Sequence, residues 1–387
     1  MKNRSDILYF DYAATTPCAP EVAEAIHSSL VDNKTSANAS SAHSLGYSAN
    51  LSIQETRNLV GKLINGDPSN IIFTSGATES NNFALIGLSD YLKDNQKSHI
   101  VSSSTEHKAI LDSLKHLSTL GHTVTLVDPD KQGNTSIRDI EKAITPETGL
   151  ISIMHVNNET GVIQDIASIG KIAKDKKITF HVDAAQSAGK IPIDVSGMNI
   201  DLLSLSAHKF YGPKGIGALY IQHSLRQNLS PLLHGGGQEE SLRPGTYANH
   251  QIIGLGKSIK LALDNMQTDI VHAQKIREVF LQELNEIILS INGNEEQALP
   301  NILNISIDGV DATTLTTSLQ DKVALATGSA CNSGTVLASH VLTAMGLIDD
   351  SLNNAIRISF GRYTTIKQAI QASEIIKADV ERIKNIY

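Results

Sequence analysis

The segment Ile200-Asp201-Leu202-Leu203-Ser204-Leu205-Ser206-Ala207-His208-Lys209-Phe210-Tyr211-Gly212-Pro213-Lys214-Gly215 carries the reading of the fold. Its apolar run through Leu205 reads as a buried strand. Gly212-Pro213-Lys214-Gly215 reads as a turn. Lys209 therefore stands where a strand ends and a loop opens, a place from which a side chain enters a cleft. An amine withdrawn from water and set beside other cations has its charged form disfavoured and becomes a nucleophile. His208 and Lys214 are the candidate cations. For Ser206 to Lys209 alone, a solvated lysine after a core strand is an equal reading, because short motifs misfire.

Working outward, six more short apolar runs alternate with helical patterns: Ile71-Phe73, Ser98-Ser102, Thr123-Val127, Gly149-Met154, Ile178-Asp183 and Gly217-Ile221. The last is expected to return as an antiparallel neighbour. This alternation predicts an α/β fold with a mostly parallel seven-stranded sheet covered on both faces. Ligands in such sheets bind at the carboxyl ends of the strands. Polar residues collect at that edge: Thr78 and Glu79, His107, Asn157 and Asn158, Asp183 and Gln186, His208 and Lys209. From about Gly254 a helical pattern runs to Ile288 and leads into a smaller α+β domain. That domain holds Asn301-Ile307, the loop around Cys331, Ala355-Phe360 and a polar C-terminal helix. The expected division is a large domain over 15–260 and a small one formed by 1–14 and 261–387.

Composition bounds the function. The chain has 387 residues, 41% hydrophobic and 19% charged, as in soluble globular proteins. No apolar stretch is long enough to span a bilayer, and no signal-type core follows Met1. A cytoplasmic protein is expected. The net charge of −8 and the lack of a dense basic block weigh against direct nucleic-acid binding. Cys18 and Cys331 form no metal-ligand spacing, so no metal is expected. Cys18, between Pro17 and Ala19-Pro20, reads as structural. Cys331 lies in the small, polar stretch Thr327-Gly328-Ser329-Ala330-Cys331-Asn332-Ser333-Gly334-Thr335. A free thiol there reads as a reactive one.

A nucleophilic lysine forms a Schiff base with an aldehyde, and pyridoxal 5′-phosphate is the usual one. The sequence offers a partner for each part of that cofactor. Ser75-Gly76-Ala77-Thr78, at a strand-to-helix turn, suits the phosphate, with Ser206 and His208 as additions; an ordinary helix cap is the plainer reading. Asp183 suits the pyridine nitrogen, or serves as a helix N-cap. Gln186 or Asn158 suits the ring oxygen, and His107 the ring face.

With these residues in view, the chain resembles the cysteine desulfurases of the class V aminotransferase family, of the housekeeping and nitrogen-fixation type. The resemblance runs from Tyr9-Phe10-Asp11-Tyr12-Ala13-Ala14 to Arg357-Ile358-Ser359-Phe360-Gly361-Arg362. It is carried by Phe73-Ser80, Thr105-Glu106-His107-Lys108, His155-Val156-Asn157-Asn158-Glu159, His181-Val182-Asp183-Ala184-Ala185-Gln186-Ser187, the Lys209 segment, His234-Glu239 and Arg243-Pro244-Gly245-Thr246. It implies the fold type I of pyridoxal-phosphate-dependent transferases. It also implies that Lys209 holds the cofactor, His107 stacks and moves protons, and Asp183 pairs with the pyridinium. Gln186 and Asn158 bear on the ring oxygen or substrate. Ala77, Thr78, Ser206 and His208 bind phosphate, with Thr246 entering from the second subunit of a homodimer. Asn38 and Arg357 hold the carboxylate of L-cysteine. Cys331 takes the sulfur as a persulfide, and alanine is released.

The match departs at three places. Asn38 is not followed by the usual proline, Cys331-Asn332-Ser333 stands for the housekeeping Cys-Thr-Ser, and the chain stops at Tyr387 soon after its last helix. The last two favour a dedicated desulfurase, such as one serving a DNA-phosphorothioation protein, over a supplier of an iron–sulfur scaffold or of tRNA thiolation. An aminotransferase or selenocysteine lyase of the same fold is the nearest rival. A silent sulfur-relay partner is a second. A nucleotide-binding protein is a third, and it lacks the G-x-x-x-x-G-K-[ST] pattern.

Overall fold

The computed structural model describes residues 7–327, 331–332, 335–336 and 338–386, with 331, 332, 335 and 336 described by their backbone alone. Its strands, in chain order, begin with β1 (Leu8–Tyr9), β2 (Ile71–Thr74), β3 (His99–Ser103), β4 (Thr123–Val127), β5 (Thr148–Met154), β6 (Thr179–Asp183), β7 (Leu202–Ser206) and β8 (Gly217–Ile221). They continue with β9 (Ile288–Ile291), β10 (Ile302–Ile307), β11 (Val323–Ala324), β12 (Ala326–Thr327), β13 (Cys331–Asn332), β14 (Thr335–Val336) and β15 (Ala355–Ser359). The seven strands β2 to β8 form one sheet, ordered β2-β8-β7-β6-β5-β3-β4. Neighbours from β7 across to β4 run parallel. β8 is antiparallel to both β2 and β7. The mostly parallel α/β sheet expected from the sequence is present.

Side chains alternate across a strand, and the two faces of this sheet differ. Phe73, Val101, Ile151, Ile153, Phe180, Val182, Leu203 and Leu205 lie in one apolar core. The opposite face gives Ile72, Ile100, Leu150, Leu202 and Leu219 to a second core, beneath Phe83, Ala84 and Leu85 of the helix Ala77–Gly87. Between those apolar residues the second face turns polar. The Ser102 hydroxyl donates to the Ser152 carbonyl at 2.7 Å. The Ser152 hydroxyl meets His181 Nδ1 at 2.9 Å, and His181 Nε2 meets the Ser204 hydroxyl at 3.0 Å.

The long helix is Asn249–Leu284. Ile252, Leu255, Ile259 and Ala262 pack in the core of the large sheet; Ala273, Ile276, Phe280 and Leu284 pack in another. The expected continuation to Ile288 is corrected. A single 3₁₀ turn follows Leu284, and Ile288 opens β9. Pairing Ile288 with Ile307 and Ile291 with Ile305 gives those backbone groups ladder partners that a longer helix would deny them. β9 belongs to a four-stranded sheet, ordered β12-β15-β10-β9. The helix Ile366–Lys384, closed at its start by a Thr365–Gln368 capping box, packs in the same core.

Two connections tie the early chain to the later one. β1 pairs in parallel with β11. Phe10 meets Phe280 edge-on at 5.0 Å between ring centroids. Residues 11–16 then pass from the core of the four-stranded sheet to the carboxyl edge of the large sheet. β13 and β14 pair antiparallel, Cys331 opposite Val336. No helix among the described residues is long and apolar enough to cross a membrane.

Candidate active site

A cavity of about 600 Å³ opens at the carboxyl edge of the parallel strands. The turn after β2 supplies Ser75 to Thr78, and the segment after β3 supplies His107. The stretch after β5 supplies Val156 and Asn158, the end of β6 Asp183 and Gln186, and the end of β7 Ser206, His208 and Lys209. Ala13 and Ala14 close one wall, and Arg357 of β15 another. Asn157, expected at the same rim, is not in the lining. Its buried amide oxygen accepts the N–H groups of Glu159 and Thr160 and holds the turn beside Asn158.

Lys209 ends a 3₁₀ turn directly after β7. Its Nζ donates to the Ala13 and Ala14 carbonyls at 2.7 and 2.8 Å. Burial first, and then the Arg357 charge, pull its pKa from the usual lysine range down to about 8, against the pull of Asp183 and Asp11. The cations expected to do this, His208 and Lys214, are not the ones that act on it. Burial drops the His208 pKa to about 4, so that ring is neutral at pH 7. Its Nδ1 lies 3.1 Å from the Thr15 hydroxyl.

Asp183 is buried at the last position of β6. One carboxylate oxygen accepts the Asn81 side-chain amide at 2.7 Å, the other the Ala185 N–H at 2.8 Å. Asn81 sits one turn into the helix Ala77–Gly87, so the same helix presents its N-terminus to the cavity and a donor to Asp183. Gly76 precedes that helix at φ 151°, and a Cβ there would stand 3.4 Å from the Ser206 hydroxyl. The Ser75 N–H is already taken by Glu79 at 2.7 Å, and Glu79 pairs with Arg243. Ala77 and Thr78, in the first turn, keep N–H groups that no helix carbonyl can reach.

His107 caps the helix Lys108–Thr119, its Nδ1 accepting the Ala109 N–H at 3.1 Å. The ring faces the open cavity but is hemmed in by protein elsewhere, and that desolvation lowers its pKa. Arg357 is buried, donating to the Asn158 carbonyl and to Asp11, each at 2.7 Å. Its Nε has no partner among the described residues.

Three sequence candidates stand elsewhere. Asn38 is exposed, with its amide oxygen on the Ser40 N–H, and Thr246 is exposed; neither lines this cavity. The Cys331 side chain lies outside the described residues. Cys18, read as structural, is exposed, because the segment 17–18 runs over the surface before the helix that opens at Pro20. Several groups went unread in the sequence: buried Asn81 behind Asp183, half-buried Asp11 on Arg357, half-buried Lys190 beside Gln186, and Glu106, whose carboxyl burial pushes well above the usual range. Glu106, Asp11 and Lys190 stand inside or beside the quoted motifs, and that adjacency was the available signal. Among the described residues no group of His, Cys, Asp and Glu is placed to hold a metal.

The description of class-V aminotransferases matches residues 8–371. The chain belongs to this family. Within it, the cysteine desulfurase IscS of Vibrio cholerae is 44% identical over 379 residues, covering 97% of this chain and 93% of that one. Among solved structures, a NifS-like protein superposes with a TM-score of 0.90 at 34% identity, covering 97% of this chain and 99% of that one. The structure titled SspA in complex with cysteine gives 0.81 at 40% identity, covering 92% and 99%. These similarities make the chain a cysteine desulfurase of the class-V family, a pyridoxal-phosphate-dependent enzyme.

The residues present fit that cofactor. The cavity combines an amine that burial has made easy to deprotonate with a buried carboxylate that still has lone pairs free. It also holds a helix N-terminus with unspent N–H groups beside a glycine. A phosphate suits the last of these, a protonated ring nitrogen the carboxylate, and an aldehyde the amine.

Proposed function

We propose that this enzyme takes sulfur from L-cysteine onto Cys331 and passes it to an acceptor protein. The observation that carries the reading is the meeting of Lys209, Asp183, His107 and the Ala77–Thr78 helix start around one cavity. The solved relative titled as a complex with cysteine supports the substrate. Pyridoxal phosphate, when bound, supplies the aldehyde for Lys209 and an electron sink that weakens the bond between carbon and sulfur.

The chain's own groups do the rest. Lys209, with a pKa of about 8, gives up its proton near neutrality and later takes one back. Asp183 stays fixed by Asn81 and Ala185 and holds the positive ring nitrogen in place. Ala77, Thr78, Ser206 and His208 bind the phosphate. Asn158 and Gln186 border the ring oxygen. His107 lies against the ring face and moves protons as a neutral imidazole, the form its lowered pKa favours. Arg357 receives the substrate carboxylate, and its place in the cavity wall supports this. Asn38 shares that task on the resemblance alone. The Cys331 thiolate bonds to the substrate sulfur, the electron pair of the breaking C–S bond stays on carbon, and a proton there completes alanine.

The protein acts as a homodimer, with Thr246 serving the partner's cavity. Support comes from its exposure away from its own cavity and from the exposed Leu30, Val31, Tyr47 and Leu51. The division into two domains falls within the long helix, which changes cores between Ala262 and Ala273. The acceptor is an iron–sulfur scaffold or a DNA-phosphorothioation protein, and co-purification from the native host separates the two.

The direct test is one turnover without reductant, followed by mass spectrometry. An added sulfur is expected on the Cys331 peptide. Cys331→Ser should keep the yellow cofactor and lose alanine release. Sulfur found on Cys18, or full activity in Cys331→Ser, overturns the reading.

A further inference from the structure

Lys190 is a half-buried lysine that the chemistry above leaves unused. It lies four residues after Gln186, at the end of a turn that returns it to that side chain. The turn requires Gly189. Its φ is +73°, and a Cβ there would stand 2.9 Å from the Phe210 ring. Lys190 Nζ donates to Gln186 Oε1 at 2.9 Å. Gln186 Nε2 donates to the Ala13 carbonyl at 2.8 Å, the same carbonyl that accepts Lys209 Nζ.

An amide side chain has two ends that differ in chemistry, and its neighbours decide which way it turns. Here both neighbours are unambiguous. An ammonium only donates, so it takes the oxygen. A carbonyl only accepts, so it takes the nitrogen. The nitrogen carries two hydrogens, and Ala13 uses one. The second remains for the cavity that Gln186 lines. We propose that Lys190 is a positioning residue that locks the Gln186 amide so that its nitrogen, never its oxygen, serves the bound cofactor. This rests on the reading of Gln186 as a neighbour of the cofactor's ring oxygen. An acceptor turned toward that oxygen would repel it, so the lock decides whether Gln186 helps or hinders. Burial also draws the Lys190 pKa down to about 7, with the Lys209 and Arg357 charges adding to it. The uncharged amine also carries a lone pair, so above that pH the donor-only character of Lys190 is lost and the Ala13 carbonyl alone fixes the amide; the lock is a property of the charged form.

The test uses holoenzyme and a mutant cycle of Lys190→Met and Gln186→Ala. Two signals are read: the visible circular dichroism of the bound cofactor and its apparent dissociation constant. Gln186→Ala should weaken cofactor binding about tenfold, the scale of one hydrogen bond to a charged group. Lys190→Met should come within about threefold of that and change the dichroism in the same direction. The double variant should match Gln186→Ala, because a lock has nothing left to hold. Independent, additive losses would mean that Lys190 acts as a charge and not through Gln186, and would overturn the proposal. An unchanged Gln186→Ala overturns the reading of Gln186 itself. A changed Gln186→Ala with an unchanged Lys190→Met overturns the lock alone. Lys190→Gln covers the case in which Lys190→Met does not fold. Its amide presents either end to Gln186, so the lock is released while the site stays polar, and the same change is expected; parental signals there also overturn the lock.

Discussion

On one face of the seven-stranded sheet Val101, Ile151, Phe180 and Leu203 pack as hydrocarbon; on the other, Ser102, Ser152, His181 and Ser204 are joined edge to edge by hydrogen bonds. The residues are neighbours in sequence and opposites in environment. Asp183 shares its face with His181, two residues earlier on β6, and the Asn81 helix covers that face. Apolar burial is strong but has no direction. Hydrogen bonds are weaker in net and fix orientation. The comparison teaches that stability is concentrated on one face and aim on the other.

The largest expected effect lies at the carboxyl edge that both faces share. Lys209→Ala should cut turnover by about 10³-fold or more, as loss of a covalent catalyst does. Its unfolding midpoint should stay near that of the parent, since Lys209 belongs to neither core. Borohydride reduction and peptide mapping of the parent should label Lys209. A label on another lysine breaks the assignment.

How much of this was legible follows the same division. Six of the seven strands are buried on both faces, so their apolar runs stood out; the edge strand β4 is largely open yet keeps a β-branched run, and all seven were readable to within a residue or two. The cavity residues at strand ends, from Thr78 to Lys209, were readable because turn residues punctuate the runs. The polar face was not. Ser102 and Ser152 interrupt apolar runs without pattern, and only the folded register brings them to His181. Asn81 and Lys190 act through other side chains, at distances that spacing alone does not give. Asn38 and Thr246, taken from resemblance, have no local physical signal, and the single chain leaves both outside its cavity.

The second effect is acid sensitivity carried by His181 of the polar face together with His155, the residue after β5. Burial lowers His181 to about 3 and His155, whose N–H donates to the Asp183 carbonyl, to about 4. Both are neutral in the fold and take protons more readily when unfolded. The unfolded state therefore binds more protons between about pH 6.5 and the folded pKa values, and stability falls as pH falls through that window. Together the loss is on the order of 8 kcal/mol once both are protonated. Glu106 works the other way: burial raises its pKa in the fold, so its contribution falls as pH rises. The histidine share is thus read as a difference. Denaturant titrations at several pH values should give a flatter acid limb in His181→Leu than in the parent. Parallel limbs would remove the titrating face from the comparison.

Next comes the hydrocarbon face. Phe180 is fully buried there, one residue from His181. Phe180→Ala should cost about 3–5 kcal/mol at pH 7.5, the transfer loss plus an unfilled cavity. The visible spectrum of whatever protein remains folded should be parental. A changed cofactor spectrum would mean that this face aims the site as well.

The smallest effect sets two adjacent residues of β3 against each other. Val101 faces the apolar core; Ser102 faces His181 and gives its hydroxyl to the Ser152 carbonyl at 2.7 Å. Ser102→Ala removes one neutral hydrogen bond and leaves a carbonyl whose other lone pair is still in the ladder, so the cost should be about 1 kcal/mol. Val101→Ala deletes two buried methyl groups and should cost more, about 2 kcal/mol. The visible dichroism should reverse that order. Ser102→Ala loosens the strand whose partner orients His181 and, through β6, Asp183, so it should shift the cofactor signal, while Val101→Ala should leave it alone. If the two variants differ in stability but neither moves the signal, the polar ladder is a second core and nothing more, and the aim of Asp183 comes from Asn81 and Ala185 alone.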